Sequence, residues 1–357
     1  MNRRQRITAL LSEYQRLGIA AQVDYEKFYL YSIITHSTAI EGSTITETEN
    51  LLLFDEGIAA KGRSMVEQLM NLDLKKAYER AFLMARSHEA VTIEGLKQLS
   101  ALVMKNTGSE YSTLAGTFDS SKGDLRLVNV TAGAGGRSYM NYLKVPARLA
   151  DFCQWLNAQR DAIAQGADTY DAYAMSFEAH LRLVTIHPWV DGNGRMARLV
   201  MNMLQVERGL TPTKVNSDEK AEYIQALVDA REQDTPEPFV NFMFDAFARA
   251  LTSEMEQFRK SMADDALMQN DKWTETPPQV DRKQTTGGQK TRAAIVSMME
   301  QDPTVTTAAM ARSLGINRSA LSKHIRLLQD QGIVSRQGPA KGGRWVVNTT
   351  YNNQQDK

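Results

Sequence analysis

The sequence predicts a mainly α-helical chain: a large N-terminal domain with one short β-hairpin, followed by a small C-terminal winged helix-turn-helix domain. Three observations carry this. Apolar residues recur three and four apart through most of residues 1–262, a polar stretch with Pro-Pro and Gly-Gly interrupts the chain at 269–290, and the segments beyond it run helix, helix, turn, helix, hairpin. At 357 residues, with 42% apolar and 24% charged positions, the chain exceeds one typical domain and can bury a sizeable core.

The domain division expected is 1–268 for the helical domain, 269–290 for a linker and 291–350 for the winged helix. The N-terminus MNRRQRITALLSEYQRLG has leucine at helical spacing but no continuous apolar run, and no window approaches the roughly 18 apolar residues of a membrane span, so a cytoplasmic protein is expected. The single cysteine, Cys153, excludes an internal disulfide and a thiolate metal cluster, and is read as a core residue. Net charge is zero, yet residues 280–357 carry 12 Lys and Arg against 5 Asp and Glu, an asymmetry that suits an anionic partner for the tail domain.

Taken in order, SMVEQLMNLDLKKAYERAFLMA and AEYIQALVDA are amphipathic helices of the large domain. Residues 115–140 break the pattern: Gly, Ser and Thr surround a β-branched LRLVNV run, which suits a short hairpin with TAGAGG as its turn. Next comes IHPWVDGNGRMARLVMNMLQVERG, residues 186–209, where one helix ends near Ile186, a polar loop follows, and a new helix begins around Asn193. In the tail, TRAAIVSMMEQ, TTAAMARSL and RSALSKHIRLLQDQG form three helices and IVSRQ with RWVVN the hairpin. On the third helix Leu321, Ile325 and Leu328 share one face, and Ser319, Ser322, Lys323 and Arg326 lie roughly opposite.

The loop at 187–198 concentrates chemistry. Free N–H groups and the macrodipole at a helix N-terminus favour an anion, and Gly192 and Gly194 let a phosphate approach the backbone. Arg195 and Arg198 are three residues apart and can face one oligophosphate. Asp191 is a hard carboxylate of the kind that holds Mg2+ on substrate phosphates, and His187 can act as a base near neutral pH. A base, a metal carboxylate and a cationic cradle are the set that phosphoryl-group transfer requires.

These residues, HPWVDGNGRMAR, resemble the Fic family signature His-x-Phe-x-(Asp/Glu)-Gly-Asn-Gly-Arg-x-x-Arg at every position but Trp189, where Phe is usual. The resemblance implies a protein adenylyltransferase moving AMP from ATP to a Ser, Thr or Tyr hydroxyl of a target protein. It implies His187 as the base, Asp191 on Mg2+, Asn193 and Gly194 in an anion hole, and Arg195 and Arg198 on the phosphates. Related Doc-like kinases carry Lys where this chain has Gly194, which favours AMP transfer over phosphorylation. The hairpin falls where the family has a flap that clamps an extended target segment; it is read as target docking or as a purely structural hairpin.

Upstream, THSTAIEGSTIT presents Ser37, Glu41 and Gly42. Alone this is a helix with a glycine stop. Beside the Fic motif it matches the family's inhibitory (Ser/Thr)-x-x-x-Glu-(Gly/Asn) helix, within about residues 30–45. That match implies that Glu41 pairs with Arg198 where the ATP γ-phosphate should sit, or positions water to remove AMP. The alternatives are a nucleotide-sensing transcriptional regulator and an enzyme acting mainly in AMP removal.

His180 is read as a packed, hydrogen-bonded core residue, and His36 and His88 lack metal-ligand spacing. Tyr223 is read either as a nucleotide contact or as core packing, and the many methionines as core fillers. In the tail domain Arg318, Ser322, Lys323, Arg326, Arg336, Lys341 and Arg344 are candidate DNA contacts, with protein contact as the other reading. A homodimer follows from family analogy only.

Overall fold

The computed structural model describes residues 2–22, 24–131, 138–270, 286–314, 318–330, 332–337 and 344–348, and the chain divides into two compact units, 1–267 and 268–357. Unit one is built from α1 (Arg3–Arg16), α2 (Tyr25–Ile40), α3 (Glu47–Glu56), α4 (Met65–Arg86), α5 (Ile93–Val103), strands β1 (Glu110–Thr113) and β2 (Gly116–Asp119), then α6 (Val145–Ala164), α7 (Thr169–Ile186), α8 (Asn193–Glu207), α9 (Lys220–Glu232) and α10 (Glu237–Asn270). Side chains decide where five of these ten helices begin. Asn2, Thr46 and Ser64 form capping boxes with Gln5, Glu49 and Glu67, and Thr92 and Asp168 cap α5 and α7. Among the helices without a capping side chain the one that matters is α8, whose N-cap is Gly192 at φ +79° and whose first N–H groups receive no side-chain hydrogen bond.

α8 is the central helix, and Arg195 through Gln205 are buried without a break. Leu199, Val200 and Met203 pack with Leu74, Leu99, Phe152 and Leu183 of α4, α5, α6 and α7. A second cluster joins Ile7 and Tyr14 of α1 to Phe177 of α7 and to Phe239, Phe244 and Phe247 of α10. The polar residues on so buried a helix need internal partners. Asn202 donates to the Tyr78 hydroxyl at 3.0 Å, and Gln205 donates to Ser176 at 2.9 Å.

The expected hairpin is displaced. β1 and β2 pair antiparallel with Tyr111 opposite Phe118, whereas LRLVNV forms no strand, and an isolated bridge joins Thr131, the residue after it, to Ser138. The reason is Arg126, buried in that run, whose guanidinium bonds the carbonyls of His187 and Val128 at 2.7 and 2.6 Å and also that of Met140. A loop wound round a cation replaces a ladder. The Gly-rich residues 132–137 lie outside the described residues.

Unit two comprises α11 (Thr286–Gln301), α12 (Thr307–Leu314), α13 (Arg318–Asp330) and the antiparallel pair β3 (Val334–Gln337) and β4 (Arg344–Val347). Leu321, Ile325 and Leu328 are buried with Ile295, Met299, Met310 and Trp345, as the third helix's apolar face requires. Of the expected linker, 271–285 lie outside the described residues, but its ends are helical: α10 runs to Asn270 and α11 starts at Thr286, five residues before 291. Gly287 and Gly288 fall in the first turn of α11, where glycine costs little because the leading N–H groups lack helical partners anyway. Among the described residues no helix is long and apolar enough to cross a membrane.

Candidate active site

α7 ends at Ile186 and α8 begins at Asn193, so residues 187–192 form a short loop feeding the uncapped helix N-terminus. His187 terminates α7 in the left-handed region at φ +53°, a strained conformation for a residue with a Cβ. Its Nδ1 lies 3.1 Å from the Val184 carbonyl, which can only accept, so the proton sits on Nδ1 and Nε2 keeps its lone pair. The ring stacks on Tyr139 at 3.7 Å and 16°. Burial pushes the imidazole down to about 4; the charges of Arg126 and Arg231 add to the depression, against the Val184 carbonyl and Asp191. His187 is therefore neutral at pH 7.

The loop is braced from inside. The Asn193 side chain accepts from the Trp189 N–H at 3.0 Å and donates to the Trp189 carbonyl at 2.8 Å, so its amide faces the loop, and what it can offer an anion is its backbone N–H. Trp189 is fully buried, and its indole N–H donates to the Gly123 carbonyl at 3.1 Å, a bond the more usual phenylalanine cannot make. Trp189→Phe should lower the denaturant midpoint by an amount equivalent to about 1–3 kcal/mol through the orphaned carbonyl and the lost ring volume. An unchanged midpoint would contradict that assignment.

Two arginines rise from the first turns of α8. Arg195 is buried, with Nη2 at 3.3 Å from Met104 Sδ and 3.5 Å from Asp191, while its Nε and Nη1 have no partner. Arg198 is engaged at all three nitrogens: Nε donates to Ser37 Oγ at 2.8 Å, Nη2 to the Ser37 carbonyl at 3.0 Å and Glu41 Oε1 at 2.6 Å, and Nη1 to the Tyr223 hydroxyl at 3.3 Å. Ser37 and Glu41 thus meet the motif from α2. Burial opposes ionisation of Glu41, but the Arg198 guanidinium outweighs it and holds the carboxyl below the usual carboxylate range. A Cβ on Gly194 would lie 2.7 Å from Glu41 Oε1 and 3.1 Å from Arg198 Nη1, so the glycine leaves the space the carboxylate uses.

Glu41 is the C-cap of α2 and Gly42 follows at φ +105°, so the glycine stop and the acidic segment are one device. Helix α4 secures the turn. Buried Asn71 accepts from Thr38 Oγ1 and Asn50 Nδ2, both at 2.8 Å, and donates to Ser43 Oγ at 3.2 Å, while Glu67 accepts from the Thr44 N–H at 2.7 Å. Thr38 and Ser43 flank Glu41, and Asn71 holds both.

Tyr223 is buried and does double duty, accepting from Arg198 and bonding His180 Nε2 at 2.8 Å. Burial first, then the Arg198 charge, push His180 well below the ordinary histidine range, so it is neutral and packed, stacked on Phe239. His36 contacts Ser217 and Glu47, and His88 contacts Glu207. Cys153 is buried and its thiol is pushed up to about 11 by burial. Among the described residues no group of three or more His, Cys, Asp or Glu is placed to hold a metal ion by itself. Asp191 stands at the loop with its side chain 62% exposed. Arg126, Tyr139 and Asn71 are the site residues that sequence reasoning missed. The available signal was an arginine inside an apolar run and asparagines in the buried register of helices.

In unit two Arg326 and Arg344 are exposed, Arg336 lies over the Trp345 ring at 4.8 Å, Lys341 lies outside the described residues, and so do the side chains of Arg318, Ser322 and Lys323.

Residues 90–205 match the model of the Fic/DOC family, and residues 288–337 match a helix-turn-helix domain. A protein adenylyltransferase fic-1 of Caenorhabditis briggsae is 27% identical over 220 residues, 61% of this chain and 39% of its own. The protein adenylyltransferase Fic of Drosophila melanogaster is 27% identical over 253 residues, 68% of this chain and 45% of its own. The chain thus spans less than half the length of these relatives. A Fic domain containing signaling protein from Bacteroides thetaiotaomicron shares the fold at TM-score 0.57 and 22% identity, covering 71% of this chain and 98% of that one. A Fic family protein from Desulfovibrio desulfuricans does so at TM-score 0.54 and 18% identity, covering 96% of each chain.

Proposed function

From the Fic domain that residues 90–205 form, we propose that the chain transfers AMP from ATP to a hydroxyl of a target protein and is restrained by Glu41. The observation that carries the transfer is His187 Nε2 with its lone pair free at the end of α7, the loop from it leading to the glycine-capped start of α8 and to Arg195, whose Nε and Nη1 are buried without partners. Unpaired buried donors are costly, and an anion relieves them.

In this reading the target oxygen attacks the α-phosphorus of ATP as its proton passes to His187 Nε2. The bond from that phosphorus to the β-phosphate oxygen breaks, pyrophosphate leaves, and a phosphodiester joins AMP to the side chain. The N–H groups of α8 and Arg195 stabilise the negative charge that builds up, each such donor contributing roughly 3 kcal/mol. Asp191 fits Mg2+: it is an exposed hard carboxylate, and Mg2+ commonly takes one such ligand with phosphates and water. Bound there, the ion would neutralise phosphate charge. Intact-mass analysis of the Glu41→Gly chain after incubation with ATP and Mg2+ tests the reaction type; an AMP adduct is expected, and a phosphate adduct or none would overturn it.

The restraint rests on Glu41 holding Arg198, so loosening its support should release activity. Asn71→Ala removes the bonds on both sides of the turn. AMP labelling should rise several-fold in the otherwise native chain and should not rise further on top of Glu41→Gly, the loss of one buried hydrogen-bonded staple being worth about 1–3 kcal/mol. Equal labelling of the native and Asn71→Ala chains would refute the staple.

The helix-turn-helix domain extends the proposal to DNA. Exposed Arg326 and Arg344 suit phosphate contact, which predicts binding that weakens steeply with salt.

A further inference from the structure

Beside residues 138–141 a cavity of about 310 Å3 is walled by Tyr139, Asn141, Lys144, Arg148, Thr185 and Arg231, with three cations and no carboxylate among its lining residues. The cations come from three places: Lys144 precedes α6, Arg148 is the fourth residue of α6, and Arg231 is in the last turn of α9. Among the described residues Lys144 and Arg231 form no ion pair, and Arg148 has only Asp151 at 3.6 Å, both largely exposed. Arg231 Nε is buried without a hydrogen-bond partner. The neighbouring cavity of about 560 Å3 shares Arg148, Thr185 and Arg231 with this one and adds Asp151, Asp234 and Arg182, the last matched by Glu178 at 2.6 Å and lying over Trp155, so the side toward Tyr139 and Lys144 is the one without carboxylates.

The cationic cavity reaches the base through one ring. Arg231 sits 5.3 Å over the Tyr139 ring and Tyr139 stacks 3.7 Å from the His187 ring, so the guanidinium is no more than about 9 Å from the imidazole. That is the span of two to three extended residues. We propose that this cavity binds the carboxylate of an Asp or Glu lying two or three residues from the modified hydroxyl, which makes acidic segments the preferred targets. The inference rests on the AMP-transfer reading above and adds a substrate class to it. A bound carboxylate would also offset the Arg231 charge, one of those opposing protonation of His187, so the acidic target would help the base take its proton.

The test uses the full Glu41→Gly chain with ATP, Mg2+ and a peptide library carrying one Ser, Thr or Tyr in randomised flanks, with labelled sites read by mass spectrometry. Labelled peptides should be enriched about tenfold in Asp or Glu within three residues of the acceptor, the discrimination a charge-assisted hydrogen bond gives. Arg231→Gln should remove the enrichment. Arg148→Glu, which leaves two cations against one anion in the cavity, should weaken the enrichment. Flanks without acidic enrichment, an enrichment that survives Arg231→Gln, or self-labelling with no peptide labelled would each overturn the proposal. AMP on neither peptides nor chain would instead bring down the AMP-transfer reading on which it depends.

Discussion

Glu41→Gly should raise the initial rate of AMP incorporation about a hundredfold. Glu41 holds Arg198 Nη2 at 2.6 Å in a setting where the guanidinium is buried and the carboxylate only 31% exposed. A charge pair so placed is worth a few kcal/mol against loss of one partner, and the partial exposure brings it to the low end, about 2–3 kcal/mol, or roughly 30- to 200-fold. Glycine is tolerated at the end of a helix, so α2 should keep its fold. The substitution removes the charged partner of Arg198 Nη2, leaving it the Ser37 carbonyl, and clears the space over Gly194 together. Initial rates at saturating ATP, with circular dichroism to check the helices, measure it; an unchanged rate in a folded variant removes the brake from the account.

His187→Ala, made in the Glu41→Gly chain, should lower that rate by about a hundred- to ten-thousandfold, the contribution typical of a positioned general base. The pH dependence has a defined sign. The base works neutral, and burial holds the folded imidazole down to about 4, so activity should fall only as pH drops through about 4 and stay level from there to neutral pH. An acid limb near the ordinary histidine value would contradict the burial of the ring under Tyr139. A rate that survives the alanine would contradict the role of the base.

The parts of the site written in one short run of sequence were legible in it. The break between α7 and α8, the glycine N-cap and the two arginines follow from local rules, because helix ends are decided by the few residues around them. The same holds for Leu321, Ile325 and Leu328, which share a face by spacing alone and are all buried. What escaped were contacts made across the chain. LRLVNV has the β-branched composition of a strand, yet Arg126 in its middle bonds three carbonyls, and that tertiary demand overrides local propensity. Tyr139 over His187 and Asn71 under the Glu41 turn depend on the packing of separate segments, which no spacing within one segment reports. Trp189 marks the boundary between the two cases: the sequence flagged the larger ring, and the structure supplied its partner in the Gly123 carbonyl.

The most direct test of AMP transfer by His187 under restraint by Glu41 is labelling with α-32P-ATP and Mg2+ of three full-length chains, native, Glu41→Gly and Glu41→Gly/His187→Ala, each alone and with cell lysate. The account predicts weak label in the native chain, strong label in Glu41→Gly, and none in the double variant. Absence of label from all three while ATP still binds would contradict it and leave a nucleotide sensor attached to a helix-turn-helix domain.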